Sequence, residues 1–125
     1  MNKSYINIAN LAYLGDSVYE LEVRKRLLTK EISKVNDLKN ESLKYVSAVS
    51  QHRIINLLKD KNIFTDEELE FIKSARNYKP NSKPRYTDIK TYKMATALEA
   101  LFGKLYLSGK FDRIDELMKG IFGEY

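Results

Sequence analysis

Apolar residues recur at helical spacing along almost the whole chain, and no stretch alternates apolar and polar residues for long. Residues 6–28 carry a long helical pattern with Leu11, Leu14, Val18, Leu21 and Leu28, and Thr29, Lys30 and Glu31 mark its end. Ser17 with Glu20 three residues on offers a capping box, so a break at Gly15 is one reading of this segment. Asn36 or Asp37 is placed to cap the next helix, which carries Leu38, Leu43, Val46 and Val49. Ser47 and Ser50 allow either a junction or a continuation into Ile54, Ile55, Leu57 and Leu58, and residues 59–62 close that element. Thr65 followed by Asp66, Glu67 and Glu68 is a helix N-terminus, a capping hydroxyl with acids at the positive helix end, and predicts a helix to about Asn77. Two prolines, Pro80 and Pro84, forbid a continuous helix over residues 78–86. Thr87 or Asp88 then starts a helix that runs through Glu99 to about Leu107, with Gly109 as a left-handed cap. A last amphipathic helix from about Phe111 presents Ile114, Leu117, Met118, Ile121 and Phe122. The expectation is one all-α domain of six or seven helices spanning residues 1–125.

A length of 125 residues suits one domain with a real core. The absence of cysteine excludes disulfides and thiolate metal sites, and a single histidine, His52, excludes a multi-histidine zinc site within one chain. The first residues lack the apolar stretch of a signal peptide, and Glu99 and Lys104 interrupt the most hydrophobic segment, so no run is long enough to span a bilayer. A cytoplasmic protein with no membrane partner is expected. The net charge of +5 is unevenly placed: residues 73–93 hold seven basic residues against Asp88 alone, which is +6 and leaves the rest of the chain at −1. A field so concentrated favours a polyanionic partner, nucleic acid ahead of membrane.

Two carboxylates stand where a core-facing helix favours none. Asp16 follows Gly15 inside a largely apolar run, and Glu99 is surrounded by Ala95, Ala97, Leu98, Ala100, Leu101 and Phe102. If the two helices pack together, the acids face each other, and such a pair is stable only with a proton or a cation between them. The plainer readings are a helix cap for Asp16 and a snorkelling or ion-paired surface residue for Glu99. Gly103, four residues after Glu99, resembles a site of close helix approach. Glu20, one turn beyond Asp16, reads as a partner of Arg24 more readily than as part of a site, and His52 reads as a polar residue on a helix. Basic residues interleaved with Tyr78, Tyr86 and Tyr92 suit an RNA backbone; a solvated loop is the alternative. No catalytic triad and no glycine-rich phosphate loop can be built.

The run Leu-Ala-Tyr-Leu-Gly-Asp-Ser-Val-Tyr-Glu at residues 11–20 resembles the signature helix of the ribonuclease III superfamily. Thr-Ala-Leu-Glu-Ala-Leu-Phe-Gly-Lys-Leu-Tyr-Leu at residues 96–107 resembles its second acidic helix. Short length, the basic loop and the lack of an appended double-stranded-RNA-binding domain point to the Mini-III branch. This resemblance implies a homodimeric, all-helical endonuclease domain that cuts double-stranded RNA with Mg²⁺, Mn²⁺ being a candidate substitute, and leaves 5′-phosphate and 3′-hydroxyl ends. It also implies a role in trimming the stem that flanks precursor 23S ribosomal RNA, with a ribosomal protein as a candidate presenter. Asp16 and Glu99 match the catalytic, metal-binding carboxylates. Tyr13 sits where the family places an aromatic that plugs a socket on the partner subunit; core packing is its plainer reading. Longer members carry acids at the positions of Ala12 and Thr96, and Asp37 loosely matches a further acidic position. Without an appended domain the RNA must be held by the catalytic domain itself, and Arg76, Lys79, Lys83 and Arg85 are expected to contact phosphates, with residues 78–86 mobile until RNA arrives. A non-catalytic RNA-binding or ribosome-assembly module of the same fold, and a helical adaptor for an acidic protein, are the competing functions. Steep salt dependence favours RNA over the adaptor; cleavage alone separates the other two.

Overall fold

Helices α1 (Ile8–Leu28), α2 (Val35–Val46), α3 (Ala48–Asp60), α4 (Asp66–Arg76), α5 (Ile89–Leu107) and α6 (Phe111–Phe122) make up the computed structural model, which describes residues 6–78 and 88–123. Among the described residues there is no strand, so the all-α expectation is met with six helices. Lys79, Lys83 and Arg85, and the expected mobility of their loop, lie outside the described residues.

Local chemistry sets most boundaries. Thr65 and Glu68 form a full capping box, the Glu68 N–H donating to Thr65 Oγ1 at 3.1 Å and the Thr65 N–H to Glu68 Oε1 at 3.0 Å. Of the two candidates before α5, Asp88 is the cap, accepting the Thr91 N–H at 2.9 Å. Gly109 adopts φ +70° after α5, as a left-handed cap requires. Ser47 makes a junction: its extended backbone ends α2, and its hydroxyl accepts the Ser50 N–H at 3.2 Å to start α3. Two expectations fail. The first helix does not break at Gly15, and Ser17 lies exposed in mid-helix instead of capping. Helix α2 starts at Val35 behind Lys34, with no side-chain cap, which puts Asn36 and Asp37 inside its first turn. There the Asp37 carboxylate still complements the helix dipole.

Helix α5 is the axis of the fold. It buries ten residues, Thr91 and Gly103 among them, and packs against α1, α3, α4 and α6; a helix apolar on nearly every side belongs in the centre. Against it α1 presents Leu11, Val18, Tyr19, Val23 and Leu27. Leu21 and Leu28, counted on the apolar face by spacing, are instead 58% and 66% exposed. Tyr19 is fully buried, its ring edge-on to Phe102 at 5.2 Å and its hydroxyl donating to the Tyr45 carbonyl at 2.8 Å, so its polar tip is satisfied. At the far end Arg113 of α6 clasps the start of α4, donating to both Glu68 oxygens (2.8 and 2.7 Å) and to the Ile63 carbonyl (2.7 Å).

Candidate active site

Helices α1 and α5 touch backbone to backbone. A Cβ on Gly15 would overlap the Glu99 carbonyl oxygen and stand 2.8 Å from the Gly103 nitrogen. One on Gly103 would overlap the Leu11 carbonyl oxygen and stand 3.2 Å from the Gly15 nitrogen. Only glycine fits at either position, and that contact fixes what lies beside it. Asp16, the residue after Gly15, meets Glu99, one turn before Gly103, and their side chains hydrogen-bond.

The hydrogen bond between the two acids runs through a proton on Glu99. Burial pushes the Glu99 carboxyl up to about 8; the hydrogen bond to Asp16, the Asp16 charge and the nearby Glu20 charge push the same way, while a hydrogen bond from Gln51 opposes them. Protonated Glu99 thus donates to the exposed Asp16, and the Gln51 amide donates to Glu99. Glu20 itself pairs with Arg24 at 2.8 Å, as its spacing suggests. The carboxylates open into a recess of about 240 Å³ lined by Ala9, Ala12, Tyr13, Asp16, Tyr78, Tyr92, Thr96 and Glu99. Ala12 and Thr96 therefore stand at the site itself, and neither adds a charge to it. Asp37 is exposed in α2 and does not line the recess.

Tyr13 is 85% exposed, which rules out core packing for it. Arg76 is exposed at the end of α4, two residues before Tyr78 at the rim. His52 Nδ1 lies 3.3 Å from Thr91 Oγ1, and that hydroxyl donates to Asp88 at 2.9 Å, so His52 braces the start of α5. Gln51 is the residue that sequence reasoning missed. It is 2% exposed, and a signal existed: with Ile54, Ile55 and Leu58 it forms the i, i+3, i+4, i+7 face of α3, a polar residue on an apolar stripe.

Among the described residues no group of three or more histidines and acids forms a metal cage. The Asp16–Glu99 pair alone suits Mg²⁺, which binds through one or two carboxylates and fills its other positions with water and substrate phosphate. The proton between the acids stands where a cation would relieve the same repulsion. No helix among the described residues is long and apolar enough to cross a membrane.

Comparison with known proteins agrees with this geometry. The Ribonuclease III domain family matches residues 9–110. The chain is 40% identical over 116 residues to the Mini-ribonuclease 3 of Staphylococcus aureus, covering 93% of this chain and 87% of that protein. It is 42% identical over 112 residues to that of Brevibacillus brevis, covering 90% and 82%. A crystal structure of a Fusobacterium nucleatum protein superposes with a TM-score of 0.77 at 31% identity, covering 95% of this chain and 94% of the other. An acid pair held at a glycine crossing, on a chain that matches these relatives over nine-tenths of its length, makes this protein a member of the ribonuclease III family in its Mini-ribonuclease 3 branch, and an endoribonuclease.

Proposed function

We propose that this protein is a Mg²⁺-dependent endoribonuclease, Mn²⁺ being able to substitute, that cuts double-stranded RNA to 5′-phosphate and 3′-hydroxyl ends. Its natural substrate, on this reading, is the stem flanking precursor 23S ribosomal RNA, and the chain acts as a single catalytic domain. The observation that carries the proposal is the Asp16–Glu99 pair at the Gly15–Gly103 crossing. Asp16 and Glu99 would hold the ion, in keeping with the general divalent-metal dependence of the family. A bound Mg²⁺ lowers the pKa of its water and neutralises charge on the attacked phosphate. Gly15 and Gly103 keep the two carboxylates at a fixed spacing by removing any slack between the helices. Tyr78 and Tyr92 wall the recess, and their phenols can hydrogen-bond to sugar and phosphate across a wide minor groove. Arg76, with Lys79, Lys83 and Arg85, neutralises phosphates further along the duplex.

A homodimer completes the reading. Tyr13 stands out from α1, and a groove of about 450 Å³ between α1 and α2 is lined by Leu27, Leu28, Val35, Leu38, Leu43 and Val46. An exposed aromatic and an unfilled apolar groove on one chain are the two halves of a plug-and-socket contact, and a two-fold axis would present one site to each strand of a duplex.

The test compares the protein with Asp16→Asn on a long perfect RNA duplex at low salt with Mg²⁺. Cleavage by the first alone, with binding kept by the second, is the expected result. Equal cutting by both refutes the site. Binding without cutting by either, with naked RNA and with a ribosomal protein added, would make the protein an assembly module instead.

A further inference from the structure

The metal-site reading leaves Gln51 of α3 without a role, although Gln51 is 2% exposed and its side chain reaches the half-buried Glu99 carboxyl. A buried amide needs a reason to sit on an apolar helix face. Ser47 turns extended after α2, so the Val46 carbonyl at the end of that helix has no intrahelical donor. Gln51 supplies one, its Nε2 lying 3.3 Å from the Val46 oxygen. That bond also orients the amide, because a carbonyl only accepts: the nitrogen must face Val46 and the second hydrogen of the same NH₂ is left for Glu99. Glu99 therefore meets Gln51 on its α3 side and Asp16 on its α1 side.

We infer that Gln51 is a positioning residue for metal binding: anchored on the Val46 carbonyl at the α2–α3 junction, it fixes one oxygen of Glu99 and leaves the oxygen facing Asp16 to take the ion. The inference rests on the assignment of Asp16 and Glu99 as the metal carboxylates. Partners behind a ligand commonly set its orientation, and losing one weakens metal binding by about 10–100-fold. Gln51 touches neither ion nor RNA on this account, so its removal should weaken metal binding while RNA affinity without metal stays the same.

The test is Mn²⁺ binding to the RNA-free protein, followed by electron paramagnetic resonance, in wild type, Gln51→Met and Asp16→Asn. Methionine keeps the volume and the apolar face and removes the donor. Expected is a drop in Mn²⁺ affinity of about 10–100-fold for the methionine variant, a matching rise in the Mg²⁺ needed for half-maximal cleavage, and an unchanged KM for RNA at saturating Mg²⁺. A folded Gln51→Met protein that binds Mn²⁺ as wild type does overturns the inference. Should that variant fail to fold, wild type decides alone: the Gln51 side-chain amide resonances are expected to move with Mg²⁺ saturation, and fixed resonances overturn the inference. Failure of the underlying reading has a different signature, since wild type would then bind no Mn²⁺ or Asp16→Asn would bind it equally.

Discussion

Replacing Glu99 by glutamine should make the metal-free protein more stable, although it removes a proposed catalytic group. In the folded chain the Glu99 carboxyl is pushed up to about 8 from an ordinary 4.5, chiefly by burial and then by Asp16. Between those values the folded state holds a proton that the unfolded chain releases, so stability falls as pH rises from about 4.5 to about 8 and levels off above. At neutral pH the gap amounts to roughly 3 kcal/mol, each unit being worth about 1.4 kcal/mol. Glutamine carries no such penalty: its amide donates to Asp16 as the protonated acid does, and its carbonyl accepts from Gln51. Glu99→Gln should therefore melt higher than wild type by roughly 10 °C near pH 7.5 in EDTA for a domain of this size. The difference should shrink towards zero below about pH 4.5, where the glutamate, like the glutamine, is neutral in both states. Thermal melts across that range, with EDTA and with excess Mg²⁺, give the answer. Mg²⁺ should raise the wild-type midpoint and leave the variant's unchanged. A variant no more stable than wild type at about pH 8 in EDTA, or a difference that ignores pH, would refute the account of a protonated Glu99.

Four further outcomes follow from other contacts. Gly103→Ala drives a methyl into the Leu11 backbone, so urea unfolding should show a loss of roughly 3 kcal/mol or more; a loss under about 1 kcal/mol would mean the helices can part freely. Arg113→Met strands the buried Glu68 carboxylate and the Ile63 carbonyl, at a cost of about 3–5 kcal/mol in the same assay. Burial alone would raise the Glu68 carboxyl, but its bonds from Arg113 and Thr65 outweigh burial and hold it below the ordinary range. Its contribution is thus present above about 4.5 and lost as pH falls through the lower folded value, and the gap between wild type and Arg113→Met should narrow in acid. On the proposed dimer, wild type should sediment as a dimer and Tyr13→Ala as a monomer, and a variant that stays dimeric removes Tyr13 from the interface. Arg76→Ala should weaken binding to all duplexes alike and lower the salt slope by about one phosphate contact, whereas an unchanged slope would place Arg76 off the RNA.

The acid pair was legible from sequence because an acid on an apolar helix face is physically out of place. A carboxylate amid Ala97, Leu98, Ala100 and Leu101 is out of place, and the fold brings to it a second acid, Asp16, in place of a counter-charge, so that the pair calls for a proton or a cation. Gly15 was harder: with Asp16 after it and Ser17 and Glu20 offering a capping box it reads as a break, and only the opposing Glu99 carbonyl shows that the missing Cβ serves close contact within a continuous helix. Helix α1 misled for a related reason. Apolar residues stand on several of its sides, so spacing cannot choose between the buried set of Leu11, Val18, Tyr19, Val23 and Leu27 and the exposed Tyr13, Leu21 and Leu28. Periodicity reports that a helix has apolar surface, not which part of it this chain covers. The exposed set is left over after the monomer core is complete, and Leu28 joins Val35 and Leu43 of α2 along the apolar groove. The same surplus that blurred the core face is what the dimer reading requires, so loss of the dimer on altering Tyr13 would explain both at once.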